Sequence, residues 1–314
     1  MPIYPGLCCP VCRGTLQKTD DATLQCCNAQ CATTYPLLGN IPILLNEANS
    51  LFTIQSYLAG EPAHYFKPQS AFRRTMARLL PDITANLCAK SNYRRLIALL
   101  AAQTPTPTVL IVGGSIAGSG TEELLAQPNY TLVESDVSLG PRCTLICDSH
   151  DIPFIDGTFD AVIFQAVLEH VLDPARCVAE AYRVLQPEGL LYAETPFMQQ
   201  VHGGPYDFTR FSHLGHRRLF RHFEEIDSGC ICGSGTALAW AIKYFFWSLT
   251  TNKSLRAFFS VTTRLCWWWL KYIDYLTCNA PGSFDAASGY YFLGKKSDKI
   301  LTDQELIKLY RGAL

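Results

Sequence analysis

The sequence has little net charge and no long uninterrupted apolar run. Its 26 basic and 27 acidic side chains give a net charge of −1, so no overall basic field favours nucleic acid as a partner. No window of about 18 residues is apolar, uncharged and free of glycine, which argues against a spanning helix. The first residues lack the basic start and apolar stretch of a secretory signal. These absences predict a cytoplasmic protein.

Cysteine is abundant but unevenly placed. Six of the 14 cysteines lie in the first 31 residues, and the others are scattered through apolar stretches. A secreted disulfide scaffold is usually a short, loop-rich chain, which this 314-residue sequence is not. The distribution instead predicts a reducing compartment, one metal site near the N-terminus and buried free thiols elsewhere.

The chain divides into three predicted segments. Residues 1–46 are rich in Cys, Pro and Gly and predict a small β-rich module, and 47–107 read mainly as a helical connector ending in a Thr-Pro repeat. Residues 108–314 alternate apolar runs with amphipathic stretches, which predicts a parallel sheet covered by helices on both faces. The runs that predict its strands are Val109 to Val112, Tyr130 to Val133, Thr144 to Cys147, Phe159 to Phe164 and Gly189 to Glu194.

Two cysteine pairs near the N-terminus have the spacing of a tetrahedral zinc site. Cys9 and Cys12 form a C-x2-C knuckle, and Cys26 and Cys31 supply a second pair. The neighbouring Cys8 and Cys27 leave the register ambiguous, but the chosen pairs give each knuckle the same apolar-x-Cys entry. The alternative is a zinc-free ribbon with buried or reactive thiols.

This N-terminal segment resembles the zinc-ribbon activator subunit of tRNA and release-factor methyltransferases. The resemblance rests on the L-x-C-P-x-C-x-G-x-L run from Leu7 to Leu16, on Tyr35-Pro36 and on Gly39 to Pro42. The usual second knuckle is C-x2-C, whereas four residues separate Cys26 from Cys31. The resemblance therefore implies a ribbon whose second loop bulges.

A strand followed by a glycine-rich loop marks the start of the third segment. The run Val109 to Gly120 brings glycines and a helix N-terminus to the end of a strand, where a backbone can approach a nucleotide-like ligand closely. The next strand ends in Glu134 and Asp136, and such acids accept ribose hydroxyls. Asp136 is the first candidate for the ribose and Glu134 the second.

The ordered series after this loop resembles class I methyltransferases of the type 11 group, which use S-adenosylmethionine (SAM). It consists of Asp148 to Val162, then Leu168 to Val171, then Arg183 to Gly189. The resemblance covers roughly residues 108–227 and implies a doubly wound, Rossmann-like α/β fold with a seven-stranded sheet. The cofactor-binding residues it implies are Gly113, Gly114, Ser115 and Gly118 around the methionine, Asp136 on the ribose, Asp148 and Ser149 at the adenine, and Gln165 and Ala166 over the sulfonium.

One departure from the family concerns the methionine end of the cofactor. The family usually has an acid at the position of Ile111, and that acid anchors the ammonium of the methionine. Its loss implies weaker or displaced SAM and motivates one alternative, a non-catalytic module that binds SAM or zinc.

The acceptor is predicted to bind at 194–211, here named the acceptor loop. This segment follows the fifth strand and concentrates polar side chains at the edge where open α/β sheets bind substrates. His202 is the candidate general base, Asp207 orients or replaces it, and Tyr206 and Arg210 position the acceptor. The alternative is a loop held by its own hydrogen bonds, with an Asp207–Arg210 ion pair. A similar run in methyltransferases of polysaccharide and natural-product pathways favours a small-molecule or glycan-type acceptor, methylated on oxygen or nitrogen.

About sixty residues are inserted where this family normally has a short hairpin. The insertion, about 234–288, contains helices over 235–277 that are aromatic and basic. They are interpreted as a cap over the site or a homodimer interface, with peripheral membrane contact as the alternative. An RNA or protein methyltransferase is a further alternative suggested by the ribbon, but the N-P-P-(Y/F) sequence of amino-methylating enzymes is absent after the fourth strand.

Overall fold

The structure, a computed structural model, describes residues 4–60 and 79–313. Its strands are β1 (Leu16–Lys18), β2 (Thr23–Cys26), β3 (Thr34–Leu38), β4 (Ile41–Leu44), β5 (Thr108–Val112), β6 (Thr131–Asp136), β7 (Leu145–Cys147), β8 (Phe159–Gln165), β9 (Leu185–Pro196), β10 (Phe223–Cys232) and β11 (Gly289–Lys296). Its helices are α1 (Ile54–Leu58), α2 (Ala89–Gln103), α3 (Glu122–Leu125), α4 (Pro174–Val184), α5 (His213–Leu219), α6 (Ser234–Ser248), α7 (Lys253–Cys266), α8 (Leu270–Thr277), α9 (Pro281–Ala286) and α10 (Asp303–Ile307).

The central sheet has the predicted doubly wound form. Its seven strands follow the order β7-β6-β5-β8-β9-β11-β10, in which the first five run parallel and β11 is antiparallel to both of its neighbours. Strands β5, β7 and β8 are mostly buried apolar runs, whereas β6 turns polar towards its carboxyl end, and two apolar clusters pack on the sheet from opposite sides. The order reverses between β5 and β8, so a crevice opens there at the carboxyl ends of the strands. The α/β prediction is confirmed.

The N-terminal strands continue this sheet instead of forming a separate one. Strand β4 pairs in parallel with β7, with Ile43 opposite Ile146 and Leu44 opposite Cys147, and β3, β2 and β1 follow outward. Cys9, Leu24 and Tyr35 belong to the same apolar core as the central strands. Among the described residues the sheet therefore has eleven strands. Strand β4 covers the edge that β7 would otherwise expose.

Two helices belong to the described part of the connector. Helices cover 54–58 and 89–103, the stretches 46–53 and 80–88 are irregular, and 61–78 lie outside the described residues. The predicted division at 46 and 107 remains a prediction.

Four helices, α6 to α9, lie between β10 and β11, where the sequence predicts an insertion. Helix α6 reaches the acceptor loop, because the Tyr244 hydroxyl donates a hydrogen bond to the Val201 carbonyl. Many aromatic side chains on these helices remain exposed, with Phe245 and Phe258 each 61% accessible. In the described part of the chain, no helix has the length and apolar character needed to cross a bilayer.

Candidate active site

The loop after β5 passes close to its neighbours and requires glycine. Gly113 has a φ of +74°, and a Cβ there would lie 2.5 Å from Cγ2 of Val167. A Cβ on Gly114 would lie 3.0 Å from the carbonyl oxygen of Ile111. The loop therefore lies flat against the ends of β5 and β6, which leaves its backbone open towards the crevice.

Asp136 ties this loop to the end of β6. Its carboxylate accepts hydrogen bonds from the backbone N–H groups of Ser115 (3.1 Å) and Ser138 (2.7 Å). Burial raises the pKa of Asp136, and these hydrogen bonds oppose the effect. Each oxygen uses one acceptor site for the backbone, so each retains a lone pair for a ligand.

Asp148 follows β7 and is held by two neighbours. It accepts hydrogen bonds from the hydroxyl of Ser50 (2.7 Å) and from the backbone N–H (3.0 Å) and ring Nδ1 (2.5 Å) of His150. The Asp173 N–H donates to Nε2 of His150, which places the ring proton on Nδ1. Burial raises the pKa of Asp148, but the bonds from His150 and Ser50 outweigh it and leave the pKa lowered. Asp148 is thus an anion fixed in one orientation.

These acids face a single cleft at the carboxyl edge of the sheet. Its walls are mostly apolar, and the glycine loop and the two carboxylates supply its polar groups, as is typical of small-molecule sites. Its lining includes Gly113, Ser115, Asp136, Asp148, Ser149, Ala166 and His170 from the central domain and Leu51 and Phe52 from the connector.

A second, smaller cavity adjoins the cleft on the other side of Gly113. It is lined by Ile111, Glu134 and Gln165 together with Gly118. Ile111 brings no charge and packs into the apolar core, but Glu134 lies directly opposite it in the β5–β6 register. The Arg142 guanidinium binds both oxygens of Glu134, at 2.6 and 3.0 Å.

Gln165 joins the glycine loop to a buried polar cluster. Its amide nitrogen donates to the carbonyl of Ser119 (2.9 Å) and to Glu194 (3.0 Å), and its oxygen accepts from the Tyr93 hydroxyl (3.1 Å). Any side chain at Gly118 would collide with this amide. The next residue, Ala166, has a φ of +56°, so the chain turns sharply where β8 ends.

Asp207 and Arg210 brace the acceptor loop. The Asp207 carboxylate accepts from the backbone N–H groups of His202 (2.8 Å) and Gly203 (3.1 Å) and pairs with Arg210 at 2.5 and 3.0 Å. Burial raises the pKa of Asp207, but Arg210 and the backbone N–H groups hold it well below its usual range. Tyr206 stacks on Phe52 with ring centroids 5.8 Å apart, which joins the loop to the connector.

His202 lies beside a buried acid and a second histidine. Its Nε2 is 3.6 Å from Oε1 of Glu169, and the ring of His170 meets it edge to face with centroids 5.0 Å apart. The Glu169 carboxylate raises the pKa of His202. His170 lines the cleft, so this group separates the cleft from the acceptor loop.

Four cysteine thiols converge at the tip of the N-terminal strands. The sulfurs of Cys9, Cys12, Cys26 and Cys31 lie within 4.8 Å of one another. The Cys9–Cys31 and Cys12–Cys26 separations are 3.8 and 3.4 Å, close to the ~3.8 Å edge of a tetrahedron of sulfurs about 2.3 Å from zinc. Cys8 is buried elsewhere and Cys27 is exposed.

Three features of the site were missed at the sequence level. In the connector, Ser50 donates a hydrogen bond to Asp148 and Phe52 lines the cleft, and Glu169 faces two histidines from within the L-E-H-V series. Nothing in the periodicity of 47–60 marks a ligand-facing residue. Glu169, however, could have been found, because a glutamate next to a histidine in an otherwise apolar stretch is unusual.

Comparison with known proteins identifies part of this chain. Residues 116–193 match a family model described as "Methyltransferase domain", of the type 11 group, so the chain contains a methyltransferase domain. The ubiquinone/menaquinone biosynthesis C-methyltransferase UbiE of Desulfotalea psychrophila is 48% identical over 44 residues, 14% of this chain and 18% of that protein. The demethylmenaquinone methyltransferase of Renibacterium salmoninarum is 34% identical over 110 residues, 32% of this chain and 45% of that protein.

Among solved structures, phosphoethanolamine N-methyltransferase 2 of Haemonchus contortus with bound SAM superposes with a TM-score of 0.39 at 15% identity. The superposition covers 68% of this chain and 54% of that one. The matched part of this chain spans less than half the length of the UbiE and demethylmenaquinone methyltransferase relatives.

Proposed function

We propose that the protein is a SAM-dependent methyltransferase that transfers a methyl group to an oxygen or nitrogen of a small-molecule or glycan-type acceptor. One observation carries the proposal. The glycine loop, Asp136 and Asp148 meet in one cleft, and the segment that forms most of that cleft matches the methyltransferase domain family.

The cofactor is proposed to lie along this cleft from Asp148 to Gly118. Asp148 would accept the adenine amino group beside Ser149, and Asp136 would accept the ribose hydroxyls with its remaining lone pairs. The backbone of 113–115 would lie beside the methionine, with Gln165 and Ala166 near the sulfonium. All of these groups line the two adjoining cavities.

Glu134 is proposed to replace the missing acid at the methionine end. Its carboxylate lines the smaller cavity and lies opposite Ile111, where the family usually has the acid. Burial raises the pKa of Glu134, and Arg142 opposes this shift and holds the carboxylate in place for a methionine ammonium. This placement makes Glu134 a ligand of the amino acid portion and leaves the ribose to Asp136.

The acceptor is proposed to bind between the cleft and the acceptor loop. In the reaction, an acceptor oxygen or nitrogen attacks the methyl carbon, the carbon–sulfur bond breaks, and the sulfonium becomes a neutral thioether. His202 is assigned to acceptor activation, which includes loss of the acceptor proton. Asp207 and Arg210 hold the loop in shape, and Tyr206 positions the acceptor against Phe52.

We also propose that zinc binds the N-terminal cysteines. The sulfur separations fit a tetrahedral ion, and the Tyr35 hydroxyl lies 3.0 Å from Cys9, where it can donate to a thiolate. Zinc would supply folding free energy to a module this small. Among the described residues every cysteine is a free thiol, which agrees with a reducing, cytoplasmic setting.

The inserted helices are proposed to cap the acceptor side. The contact of Tyr244 with the acceptor loop supports this role, as does the edge contact of Trp240 with His202. Their exposed aromatic face remains a candidate surface for a homodimer or an anionic membrane. Light scattering and sedimentation with vesicles distinguish these two partners.

The experiment that tests the function is release of S-adenosylhomocysteine from SAM in the presence of candidate acceptors. Nucleotide sugars, lipid-linked glycans and small phenols come first, and a demethylated quinone belongs in the set because two relatives carry quinone names. A transfer RNA and a protein substrate test the alternative that the protein is an RNA or protein methyltransferase. Release that depends on a sugar, glycan or phenol supports the proposal, and release only with the quinone, the RNA or the protein contradicts the proposed acceptor. SAM binding without turnover on any class favours a non-catalytic module.

A further inference from the structure

We propose a second metal site, formed by Glu169, His170 and His202, that binds a divalent ion of the zinc class. The three residues come from the segment after β8 and from the acceptor loop, and their ligand atoms lie within 4.8 Å of one another. The site lies at the boundary between the cofactor cleft and the acceptor loop.

The acid in this group is buried without a hydrogen-bond donor. Glu169 is 0% exposed, and within the described part of the chain neither of its carboxylate oxygens has a hydrogen-bond partner. An ionised carboxylate in such a position is costly unless a cation compensates it. No Lys or Arg pairs with it among the described residues, and the neighbouring groups are the Nε2 atoms of His170 at 3.7 Å and His202 at 3.6 Å.

Both histidines turn a lone pair towards this carboxylate. Nδ1 of His170 lies 2.6 Å from the carbonyl of Tyr206, and Nδ1 of His202 lies 3.2 Å from the carbonyl of Gln200. Because a carbonyl only accepts, each Nδ1 carries the ring proton and each Nε2 is left as a donor of electrons. A backbone carbonyl behind each ligating histidine is the usual outer shell of a metal site.

The distances suit a metal better than a shared proton. A hydrogen bond between a protonated histidine and a carboxylate is about 2.7–2.9 Å long, and both contacts here are longer. Ligand atoms about 2.1 Å from a tetrahedral zinc lie ~3.4 Å apart, close to the observed 3.6 and 3.7 Å. Three convergent electron donors therefore surround a space that a divalent cation fits.

The backbone beside the proposed metal site packs closely against the ring of His170. A Cβ on Gly203 would lie 2.6 Å from Nδ1 and Cε1 of His170. Asp207 fixes Gly203 and His202, because its carboxylate accepts hydrogen bonds from both of their backbone N–H groups. The position of each histidine is thus set by the acceptor loop, and the site assembles only when that loop is folded.

Glu169, His170 and His202 would supply three of the four ligands of a tetrahedral ion, which leaves the fourth position open for a substrate. His202 is the most exposed ligand, with 28% of its side chain accessible, so the open position faces the acceptor loop. The acceptor class this favours is a hydroxyl compound whose oxygen would bind the metal. His202 would then activate the acceptor as a ligand of that metal and not as a general base, and the acceptor proton would pass to solvent. That assignment rests on the proposed function, whereas metal binding itself does not.

The test is metal content of untagged protein after dialysis against excess Zn²⁺, compared among variants. We expect Glu169→Gln and His202→Ala each to hold one equivalent less than the wild type and to lose zinc affinity at least ~100-fold at that site. His222→Ala removes an exposed histidine outside the cluster and should keep the wild-type content. The cysteine site is common to all four proteins and cancels in the difference.

Equal zinc content in the wild type and both ligand variants overturns the metal site. Circular dichroism shows whether each variant is folded, and Glu169→Gln keeps the size of the buried side chain. Methyl transfer is measured separately on the same samples. Activity without a zinc difference leaves the proposed function standing and removes the metal, whereas a zinc difference without any methyl transfer does the reverse.

Discussion

The Asp136 carboxylate accepts a hydrogen bond from the backbone N–H of Ser115, which joins the end of β6 to the glycine loop that follows β5. This bond fixes the position of the loop in the absence of a ligand. The loop is held against β6, and the carboxylate that holds it is also the group that faces the ribose in the proposed complex. Cofactor affinity and loop geometry therefore depend on the same side chain.

Replacing Asp136 by Ala should weaken SAM binding by roughly 1.5–3 kcal/mol, because two charge-assisted hydrogen bonds to the ribose are lost. Calorimetric titration of the variant measures this difference. Glu122→Ala is the matched control, since Glu122 is an exposed acid on α3 and should leave the affinity unchanged. An unaltered affinity in Asp136→Ala would move the ribose to another residue.

Replacing His202 by Ala should lower the rate of methyl transfer by about 10²–10⁴-fold while SAM affinity stays near that of the wild type. His202 does not line the cofactor cleft, and it activates the acceptor in the proposed reaction. Single-turnover kinetics and calorimetry on the same preparation separate the two quantities. Loss of both would show that the acceptor loop is a structural lid, and full activity would remove His202 from the reaction.

Removing the thiols of Cys12 and Cys31 together, each by substitution with Ser, should cost one equivalent of zinc and lower the melting temperature of the whole chain. The reason is that Cys9, Leu24 and Tyr35 share one apolar core with the central sheet, so the ribbon cannot unfold independently. Metal analysis and thermal denaturation check both parts. Cys27→Ser, at an exposed thiol outside the cluster, should change neither.

Acid should destabilise the protein through His216. Burial lowers the pKa of His216 from 6.5 to about 3, so between these values the unfolded chain binds a proton that the folded chain does not. Stability therefore falls as the pH decreases through this window, by up to about 1.4 kcal/mol per pH unit. Urea unfolding at several pH values should show a shallower slope for His216→Leu than for the control His222→Leu. Equal slopes would contradict the assignment.

Much of the fold could be predicted from the sequence because it rests on local patterns. Continuous apolar runs identified the parallel strands, and the capping box that opens α10 is equally local, because Thr302 and Glu305 are three residues apart. The pairing of β4 with β7 could not be predicted, since a short apolar strand carries no information about which edge it will join.

The candidate site likewise contains some residues that could be predicted from the sequence and others that could not. Gly113, Asp136 and Asp148 stand in an ordered series along the chain, and the structure brings them to one cleft. Ser50 reaches that cleft only through a long-range contact, and the convergence of Glu169 with His202 depends on a loop returning from 33 positions further along the chain. Spacing in the sequence does not report such contacts.

Calorimetric titration of the wild-type protein with SAM and with S-adenosylhomocysteine is the most direct test of the proposed cofactor site. We expect saturable binding of one molecule per chain for both ligands, each displacing the other and each weakened by Asp136→Ala. Absence of saturable binding of either ligand at concentrations up to about 1 mM, by folded wild-type protein, would contradict the proposed site.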